Sequence, residues 1–295
     1  STLFPYTTLF RSIYQNQRQL YTLLFKATSE TLSELSSDKK YLGAKLGFTS
    51  ILHTWGQNLM HHPHIHCIVP GGGLSSTGKW INSRKKFFIP VKVLSRKFRG
   101  KFLYYLKQLY YENKLEFHGN QNYLSDESEF EKLLSATYSK EWIVYCKPPF
   151  KDAACVVEYL GRYTHRVAIS NTRILSIDNG TVTFKWRDYK DKNKYKVMTI
   201  SADEFIRRFL IHILPSGFMK IRHYGLLGNR NKTAKLNICK QLTNTPILLR
   251  HKIPTLELIK EITGRDLSKC PNCGSNKLSR SITFCNSPPT IIKTS

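Results

Sequence analysis

Residues 47–55, GFTSILHTW, and residues 64–69, HIHCIV, are the two stretches that decide the predicted fold. Both are rich in aromatic and β-branched residues, which favour β-strands. Proline and glycine at positions 70–73 end the second stretch, and residues 57–63 form the connection between the two. Two strands joined by a short loop most simply form an antiparallel hairpin. The sequence therefore predicts a β-hairpin at this point of the chain.

Hydrophobic spacing predicts further helices and strands on both sides of this hairpin. Helices are predicted over residues 15–37, 95–115, 128–139, 152–166 and 202–214. Further strands are predicted over residues 86–91, 141–147, 173–177, 181–187 and 194–200. Asp152 and the Ser201–Glu204 pair have the pattern of helix N-caps. The expected fold class is α+β, an antiparallel sheet flanked by helices, with a basic and loosely structured end.

The charge of the chain points to a polyanionic partner. Lysine and arginine number 46 against 20 aspartate and glutamate residues, which gives a formal net charge of +26. Nucleic acid is the commonest partner for such a chain, because binding to phosphates releases condensed counterions. A ribosome-associated protein, a binder of anionic membranes and a generally basic proteome are the alternatives.

Membrane insertion and disulfide bonding find no support in the sequence. No apolar run approaches the roughly 18 residues that a membrane span requires. The seven cysteines are an odd number and are scattered apart from Cys270 and Cys273, which argues against a disulfide framework. A cytoplasmic location in a bacterium, at the nucleoid, is the expectation.

The first twelve residues, STLFPYTTLFRS, are set apart from the fold prediction. They lack the basic start and the continuous apolar stretch of a signal peptide. Residues 2–12 look like the translation of a common sequencing adapter joined in frame to a truncated gene. On this interpretation the natural protein extends further upstream.

A cluster of histidines in the predicted hairpin is the strongest candidate for a metal site. Side chains at i and i+2 of a strand share one face, so His64 and His66 can bind one ion while Ile65 packs into the core. The hairpin would bring His53 to the same face as a third ligand, with Gln57 as the alternative. Imidazole suits Mn²⁺ and Zn²⁺. A lone His-x-His pair is often structural, but the strand context and the basic chain favour a metal site.

Two further histidines belong to the same run, HHPHIH at residues 61–66. His61 and His62 are predicted to lie in the loop near the site. They are interpreted as phosphate contacts or bystanders rather than as ligands.

A pair of tyrosines supplies candidate nucleophiles. Tyr159 and Tyr163 are four residues apart, so on a helix they lie on one face, one turn apart. Tyrosine can act as a covalent catalyst on phosphate. Arg162 and Arg166 could bind phosphate bidentately. The alternative interpretations are a pair of core tyrosines and a solvated basic edge of a helix.

Three ordered motifs resemble one known family. They are LHTWGQNLMHHPHIHCIVPGGG at 52–73, VEYLGRYTHRVAISN at 157–171 and LPSGFMKIRHYGLLGNRNK at 214–232. They resemble the two-tyrosine HUH transposases of rolling-circle insertion sequences, the group named for insertion sequence ninety-one. The resemblance runs from about residue 12 to residue 242, and domain bounds of 13–245 for a catalytic domain and 246–295 for a basic, poorly structured tail are expected.

The resemblance implies a mechanism. In that family the HUH histidines bind a divalent ion, Mg²⁺ or Mn²⁺, which carries over to His64 and His66. The paired tyrosines carry over to Tyr159 and Tyr163, which would form 5′-phosphotyrosine links with single-stranded DNA at transposon ends and at the target. His53 has the spacing of the third metal histidine of the related conjugative relaxases, although those enzymes place their tyrosine before the histidines. The implied core is that of replication-initiator nucleases.

Basic residues along the motifs are candidate DNA contacts. In addition to the two arginines near the tyrosines, they are Lys185, Arg187, Arg222, His223 and Arg230. One departure from the family is that no cysteine-rich zinc module precedes the first predicted helix. Another is that Cys270 and Cys273 make only half of a zinc knuckle, with Cys285 following, whereas a complete site needs four ligands.

Two other functions remain open from the sequence. A rolling-circle replication initiator uses the same two motifs, but the long transposase-like stretch after residue 214 argues against it. A non-catalytic DNA-binding module could stack bases on aromatic residues of the predicted helix 95–115. Those aromatics are Phe102, Tyr104, Tyr105, Tyr110 and Tyr111.

Overall fold

The computed structural model describes residues 6–84, 89–164, 168–189, 191–247 and 253–276, and for 6–8, 10–11 and 162–164 it describes the backbone only. These residues form a mixed α+β structure, which confirms the predicted fold class. The chain divides into two compact units, Ser1–Pro246 and Ile247–Ser295.

Eight α-helices occur within the described residues. They are α1 (Tyr6–Gln15), α2 (Gln17–Ser37), α3 (Val91–Tyr111), α4 (Glu127–Tyr138), α5 (Ala153–Thr164), α6 (Ala202–Leu210), α7 (Lys232–Leu242) and α8 (Thr255–Thr263). Short 3₁₀ turns cover Gly119–Ser125 and Asn171–Arg173.

The described strands form three antiparallel sheets. They are β1 (Gly47–Trp55), β2 (His61–Ile68), β3 (Gly72–Leu74), β4 (Trp80–Asn82), β5 (Ile174–Asp178), β6 (Thr181–Asp188), β7 (Lys194–Ser201) and β8 (Ile221–Gly225). The first sheet has the order β2-β1-β8, the second pairs β3 with β4, and the third has the order β5-β6-β7.

The first sheet packs one face against helices. Leu52 of β1, Tyr21 and Phe25 of α2 and Phe102 of α3 are fully buried in one hydrophobic cluster, and Ile65 of β2 packs against it as predicted. Burying a side chain of this size contributes about 1.5–3 kcal/mol. Because successive side chains of a strand alternate between faces, the opposite face of the sheet is free to carry polar residues.

The third sheet is joined to the β1–β2 hairpin through the hairpin loop. Leu59 of that loop is buried together with Val182 and Phe184 of β6. Three consecutive loop carbonyls, those of residues 57, 58 and 59, accept hydrogen bonds from Arg173, Arg208 and His212 respectively. The loop is thereby held from outside the first sheet, and Leu59 is kept at a left-handed φ of 63°.

Most predicted elements are confirmed. The predicted hairpin and third strand of residues 173–200 correspond to β5, β6 and β7, and the predicted helices 15–37 and 128–139 correspond to α2 and α4. Asp152 caps α5 by accepting a hydrogen bond from the backbone N–H of Cys155 at 2.9 Å. Ser201 caps α6 by accepting one from the N–H of Glu204 at 3.3 Å.

Several predicted bounds were wrong. Strand β2 begins at His61, so residues 61–63 belong to the ladder rather than to the loop, with Trp55 paired to His61 beyond a bulge. Helix α3 is shifted towards the N-terminus: it follows Pro90, and Asn113 at a left-handed φ of 53° comes just after its end. Helix α6 ends at Leu210, and the turn after it lets His212 reach the hairpin loop.

The strand predicted at residues 141–147 does not form. Trp142 packs against Phe98 and Phe102 of α3, and its carbonyl accepts a hydrogen bond from Ser95. The alternation of buried and exposed side chains is present, but helix α3, rather than another strand, lies beside the segment. Half of the predicted strand 86–91 lies outside the described residues, which omit 85–88, and α3 already begins at Val91.

The structure also contains elements that the sequence did not predict. Strand β8 pairs with β1 from Gly47↔Gly225 to Ile51↔Ile221. Helix α1 begins within the first twelve residues, which were excluded from the fold prediction, and continues to Gln15; its Leu9 and Ile13 are buried in the main cluster. Helix α8 lies in the second unit, where little regular structure was expected.

Candidate active site

The β1–β2 ladder brings three histidines to the sheet face that points away from helix α2. His53 of β1 is the direct cross-strand partner of His64, and Ile51 is the partner of His66. Residues two apart on a strand share a face, so His53, His64 and His66 point to the same side. The predicted hairpin and its histidine group are therefore both observed.

The three imidazoles converge on one point. His64 Nε2 lies 3.3 Å from His53 Nδ1 and 3.0 Å from His66 Nε2. One ligand atom from each residue lies within 4.8 Å of the other two. Metal–nitrogen bonds of about 2.1 Å place neighbouring ligand nitrogens about 3 Å apart, so this spacing fits a divalent ion bound by three nitrogens.

The ring nitrogen of His64 that faces away from the other histidines is hydrogen-bonded, as is usual for histidines in metal sites. His64 Nδ1 lies 2.6 Å from the backbone carbonyl oxygen of His62 and can donate its proton there. That bond leaves the Nε2 lone pair free for an ion. The carbonyl of His62 thus orients His64, and the phosphate contact considered for the His62 side chain stays a prediction.

Burial keeps the three histidines in the neutral form that binds metals. Burial, with further effects from His64, His66 and Lys220, lowers the pKa of His53 to about 2. Burial and the neighbouring His66 lower the pKa of His64 to about 3. The pKa of His66 falls to about 4 through burial and the charge of Lys147. Neutral imidazoles need not lose a proton before they bind an ion.

Tyr159 of α5 lies directly beside this group. Its phenolic oxygen is 2.7 Å from His66 Nδ1, and the two rings meet edge to face with centroids 6.1 Å apart. Phe150 contacts the other side of the tyrosine ring, at 5.3 Å between centroids. The structure thus joins a predicted nucleophile to a predicted metal ligand across 93 residues of sequence.

The other predicted residues of this helix are only partly described. Helix α5 extends to Thr164, so the backbone of Tyr163 is one helical turn after Tyr159. The side chains of Arg162 and Tyr163, and the whole of Arg166, lie outside the described residues. Their roles stay predictions.

Gln57, the alternative third ligand, and His61 form hydrogen bonds with tyrosines. The side-chain amide of Gln57 donates to the Tyr189 hydroxyl at 3.1 Å, which favours His53 over Gln57 as the third ligand. His61 Nε2 lies 2.9 Å from the Tyr21 hydroxyl, on the helix-covered side of the hairpin.

The remaining predicted DNA contacts are in different environments. Lys185 and Arg187 are exposed on β6, and Arg230 is exposed after β8. The guanidinium of Arg222 lies over the Phe25 ring at 4.3 Å, a contact that packs strand β8 against α2. His223 pairs with the Thr49 hydroxyl at 2.9 Å on the histidine-bearing face of the first sheet.

Two lysines near the site were not predicted from the sequence. Lys147 Nζ lies 5.8 Å from the ring centroid of Tyr159, and Lys220 Nζ lies 5.6 Å from that of Trp55. Burial lowers the pKa of Lys220. Lys220 lies within the motif of residues 214–232, but in so basic a chain no local pattern marks either lysine.

The cysteine pair forms a tight turn in the second unit. The N–H of Gly274 donates to the Cys270 carbonyl at 2.9 Å, and the N–H of Cys270 donates to the Ser275 carbonyl at 2.8 Å. The pKa of the Cys270 thiol is lowered, mainly by a hydrogen bond from the backbone N–H of Cys273. Cys285 lies outside the described residues, so a zinc site stays a prediction.

None of the helices in the described part of the chain combines the length and the apolar character needed to cross a membrane. This finding agrees with the absence of a long apolar run in the sequence.

Comparisons with known proteins place this site in a family. Residues 47–235, which include the histidines and Tyr159, match the family model Y2_Tnp, described as "Putative transposase". "Putative transposase y4qJ" of Sinorhizobium fredii (strain NBRC 101917 / NGR234) is 47% identical over 270 residues, covering 90% of this chain and 68% of that protein. The transposase for insertion sequence element IS801 of Pseudomonas savastanoi pv. phaseolicola is 29% identical over 229 residues.

In that second match the aligned residues make up 76% of this chain and 52% of the IS801 transposase. The chain therefore spans about half the length of that relative. No solved structure matches the chain. The family match spans the sheet, the histidine group and the helix that carries Tyr159, and the first relative is similar over most of both proteins. The chain belongs to the Y2_Tnp family of transposases.

Proposed function

We propose that this transposase cuts and rejoins single-stranded DNA, with Tyr159 as the nucleophile and a divalent ion, Mg²⁺ or Mn²⁺, held by His53, His64 and His66. The observation that carries the proposal is the distance of 2.7 Å between the Tyr159 hydroxyl and His66 Nδ1. A nucleophile in contact with a ligand of the candidate metal site can reach a phosphate that is bound there. The core would then be that of the HUH nucleases.

The three histidines would hold the ion, and their neutral state supports this role. When bound, the ion would supply charge stabilisation to the phosphate under attack. A histidine that ligates through Nε2 keeps its proton on Nδ1. His66 would therefore donate a hydrogen bond to the Tyr159 oxygen and orient it towards the phosphate.

The proposed step exchanges one phosphodiester for another. The Tyr159 oxygen forms a bond to phosphorus, the bond from phosphorus to the 3′-oxygen of the preceding nucleotide breaks, and the phenolic proton ends on that oxygen. The products are a 5′-phosphotyrosine link and a free 3′-hydroxyl. No external source of energy is needed, because one ester replaces another.

Tyr163 is proposed as the second nucleophile. Its place one turn after Tyr159 on α5 supports this role. Two tyrosines would let a donor link and a target link exist at the same time, as rolling-circle transposition requires.

The basic residues are proposed as contacts to the DNA backbone. Exposure supports this role for Lys185, Arg187 and Arg230, whereas Arg222 and His223 are engaged within the first sheet. Arg162 and Arg166 would follow the tyrosines on α5. We propose residues 13–245 as the catalytic domain, residues 246–295 as a tail outside it, and the bacterial nucleoid as the place of action.

The test is a covalent-adduct assay. Purified protein is incubated with labelled single-stranded DNA that carries the end of the element, with Mn²⁺ or Mg²⁺, and resolved on a denaturing gel. We expect a shifted protein–DNA band that is lost on addition of a chelator, in the Tyr159→Phe variant and in the His64→Ala variant. Tyr138→Phe on α4, an exposed tyrosine that packs under Arg99, is the matched control and should retain the band.

Two other results of this assay would contradict all or part of the proposal. A protein that binds the oligonucleotide but forms no adduct with either ion would overturn the nuclease proposal and leave a basic DNA-binding protein. An adduct that survives Tyr159→Phe but is lost in Tyr163→Phe would move the first attack to the second tyrosine.

A further inference from the structure

Five rings and two ammonium groups surround the candidate metal position, and the three imidazoles form a triangle in which the centroids of His53 and His66 are also only 5.3 Å apart. The ring centroids of Trp55 and His53 are 3.8 Å apart, those of His53 and His64 are 5.0 Å apart, and those of His64 and His66 are 4.8 Å apart. Tyr159 follows at 6.1 Å from His66. Lys220 lies beside Trp55, next to the His53 corner of the triangle, and Lys147 lies beside Tyr159, next to the His66 corner.

The two lysines act on different histidines of the group. The charge of Lys220 affects His53, and the charge of Lys147 affects His66. Among the residues that the structure describes, the metal group itself contains histidines only. A divalent ion with two flanking ammonium groups makes a site that favours a polyanion over a single neutral ligand.

The two lysines reach the site from separate parts of the chain. The carbonyl of Lys220, just before β8, accepts a hydrogen bond from the N–H of Leu52 at 2.9 Å, so its backbone is fixed to the central strand. Lys147 lies in the exposed segment between α4 and α5, close to Phe150, which packs on Tyr159. Lys220 thus has a rigid base, whereas Lys147 lies beside the nucleophile.

We propose that Lys147 and Lys220 bind two different phosphates of the DNA strand, one on each side of the phosphate that Tyr159 attacks. This inference rests on the proposed function and deepens it, because it defines the path of the strand past the histidine group, between Tyr159 and Trp55. Lys147 would hold the phosphate nearer to Tyr159, and Lys220 would hold the phosphate beyond Trp55. Both are positioning residues for the scissile phosphate.

The experiment measures binding without cleavage. The Tyr159→Phe protein, in chelator, is titrated with single-stranded DNA carrying the end of the element, at several salt concentrations. We expect Lys147→Ala and Lys220→Ala each to weaken binding about tenfold. Each should also reduce the slope of log K against log salt by about 0.7, as expected for one lost phosphate contact on a single strand. Lys220→Arg should restore most of the affinity, and this variant also controls for folding of the partly buried position.

A matched control and a modified DNA locate the contacts. Lys132→Ala removes an exposed lysine of α4, which is paired with Glu129, and should leave affinity unchanged. Single neutral methylphosphonates are then placed one at a time at the phosphates around the cleavage position. At one phosphate, the methylphosphonate should weaken binding by the Tyr159→Phe parent but not by its Lys147→Ala variant. At another phosphate, it should weaken binding by the parent but not by the Lys220→Ala variant.

The outcomes separate this inference from the proposed function. If each methylphosphonate reduces DNA affinity equally in the parent and in both lysine variants, the inference is overturned, even if the adduct forms. Coupling of the two lysines to two phosphates without any adduct would support the inference as a binding path and overturn only the nuclease. Coupling of both lysines to one and the same phosphate would contradict the bracketing arrangement.

Discussion

The two larger sheets of the molecule are built alike and do different things with their second face. Both have three antiparallel strands, β2-β1-β8 in one and β5-β6-β7 in the other, and both bury one face. The second face of the first sheet carries the histidine group, with Tyr159 of α5 beside it. The second face of the β5-β6-β7 sheet is open, with Tyr195 and Val197 largely exposed beside Lys185 and Arg187.

The difference shows how burial sorts polar residues into different roles. Partial burial lowers the pKa of all three histidines, so they are neutral at neutral pH, the form in which imidazole can bind a metal. Lys185 and Arg187, by contrast, are exposed to water. The first sheet is thus suited to chemistry on a phosphate, and the open sheet is suited to weaker contact with a DNA backbone.

The largest effect should come from a glycine of the first sheet. Gly225 ends β8 at a left-handed φ of 60°, and a Cβ there would overlap the carbonyl oxygen of Leu46. We expect Gly225→Ala to lower the free energy of unfolding by about 3–4 kcal/mol, measured by urea denaturation.

Gly180 of the open sheet is the matched control for this substitution. It has a similar φ of 69°, but a Cβ there would meet no atom within 4 Å. Gly180→Ala should therefore cost only about 1–2 kcal/mol, the strain of the left-handed conformation alone. Equal losses for the two substitutions would contradict the close approach of β8 to the chain before β1.

The next largest effect distinguishes the two candidates for the third metal ligand, His53 on strand β1 and Gln57 in the hairpin loop. His53 belongs to the histidine group, whereas Gln57 donates to Tyr189, just after β6. We expect His53→Ala to reduce Mn²⁺ affinity by at least about 100-fold in calorimetric titration, because a direct ligand should matter more than an outer-shell residue. Gln57→Ala should change it by less than about threefold. The reverse order would assign the third position to Gln57.

The smallest effect concerns the open sheet alone. The double substitution Lys185→Ala with Arg187→Ala should weaken binding of single-stranded DNA about tenfold and reduce the salt slope by about 1.4, for two lost phosphate contacts. Mn²⁺ affinity should not change. Lys196→Ala is the control on the same sheet, because Lys196 pairs with Asp188 and Asp191 instead. An equal loss with Lys196→Ala would mean that only the total charge matters.

Sequence reasoning succeeded where contacts are local. The pairing of His53 with His64 follows from the strand period and a short connection, and both features lie within 20 residues of sequence. The same holds for the β5-β6-β7 sheet and for the caps of α5 and α6. The predicted strand at 141–147 failed because alternation alone does not show whether a neighbouring strand exists.

The sequence by itself determined which face of the hairpin carries the histidines, since a period of two places alternate residues on one side whatever surrounds them. It also determined, through the family motifs, that Tyr159 was the residue to look for. Only the tertiary structure decided that Tyr159 contacts His66, that β8 completes the first sheet, and that Lys147 and Lys220 flank the site. The contact of Tyr159 with His66 joins residues 93 apart in sequence, and β8 pairs with β1 across a still longer separation, so packing and not local periodicity decides which side chains meet.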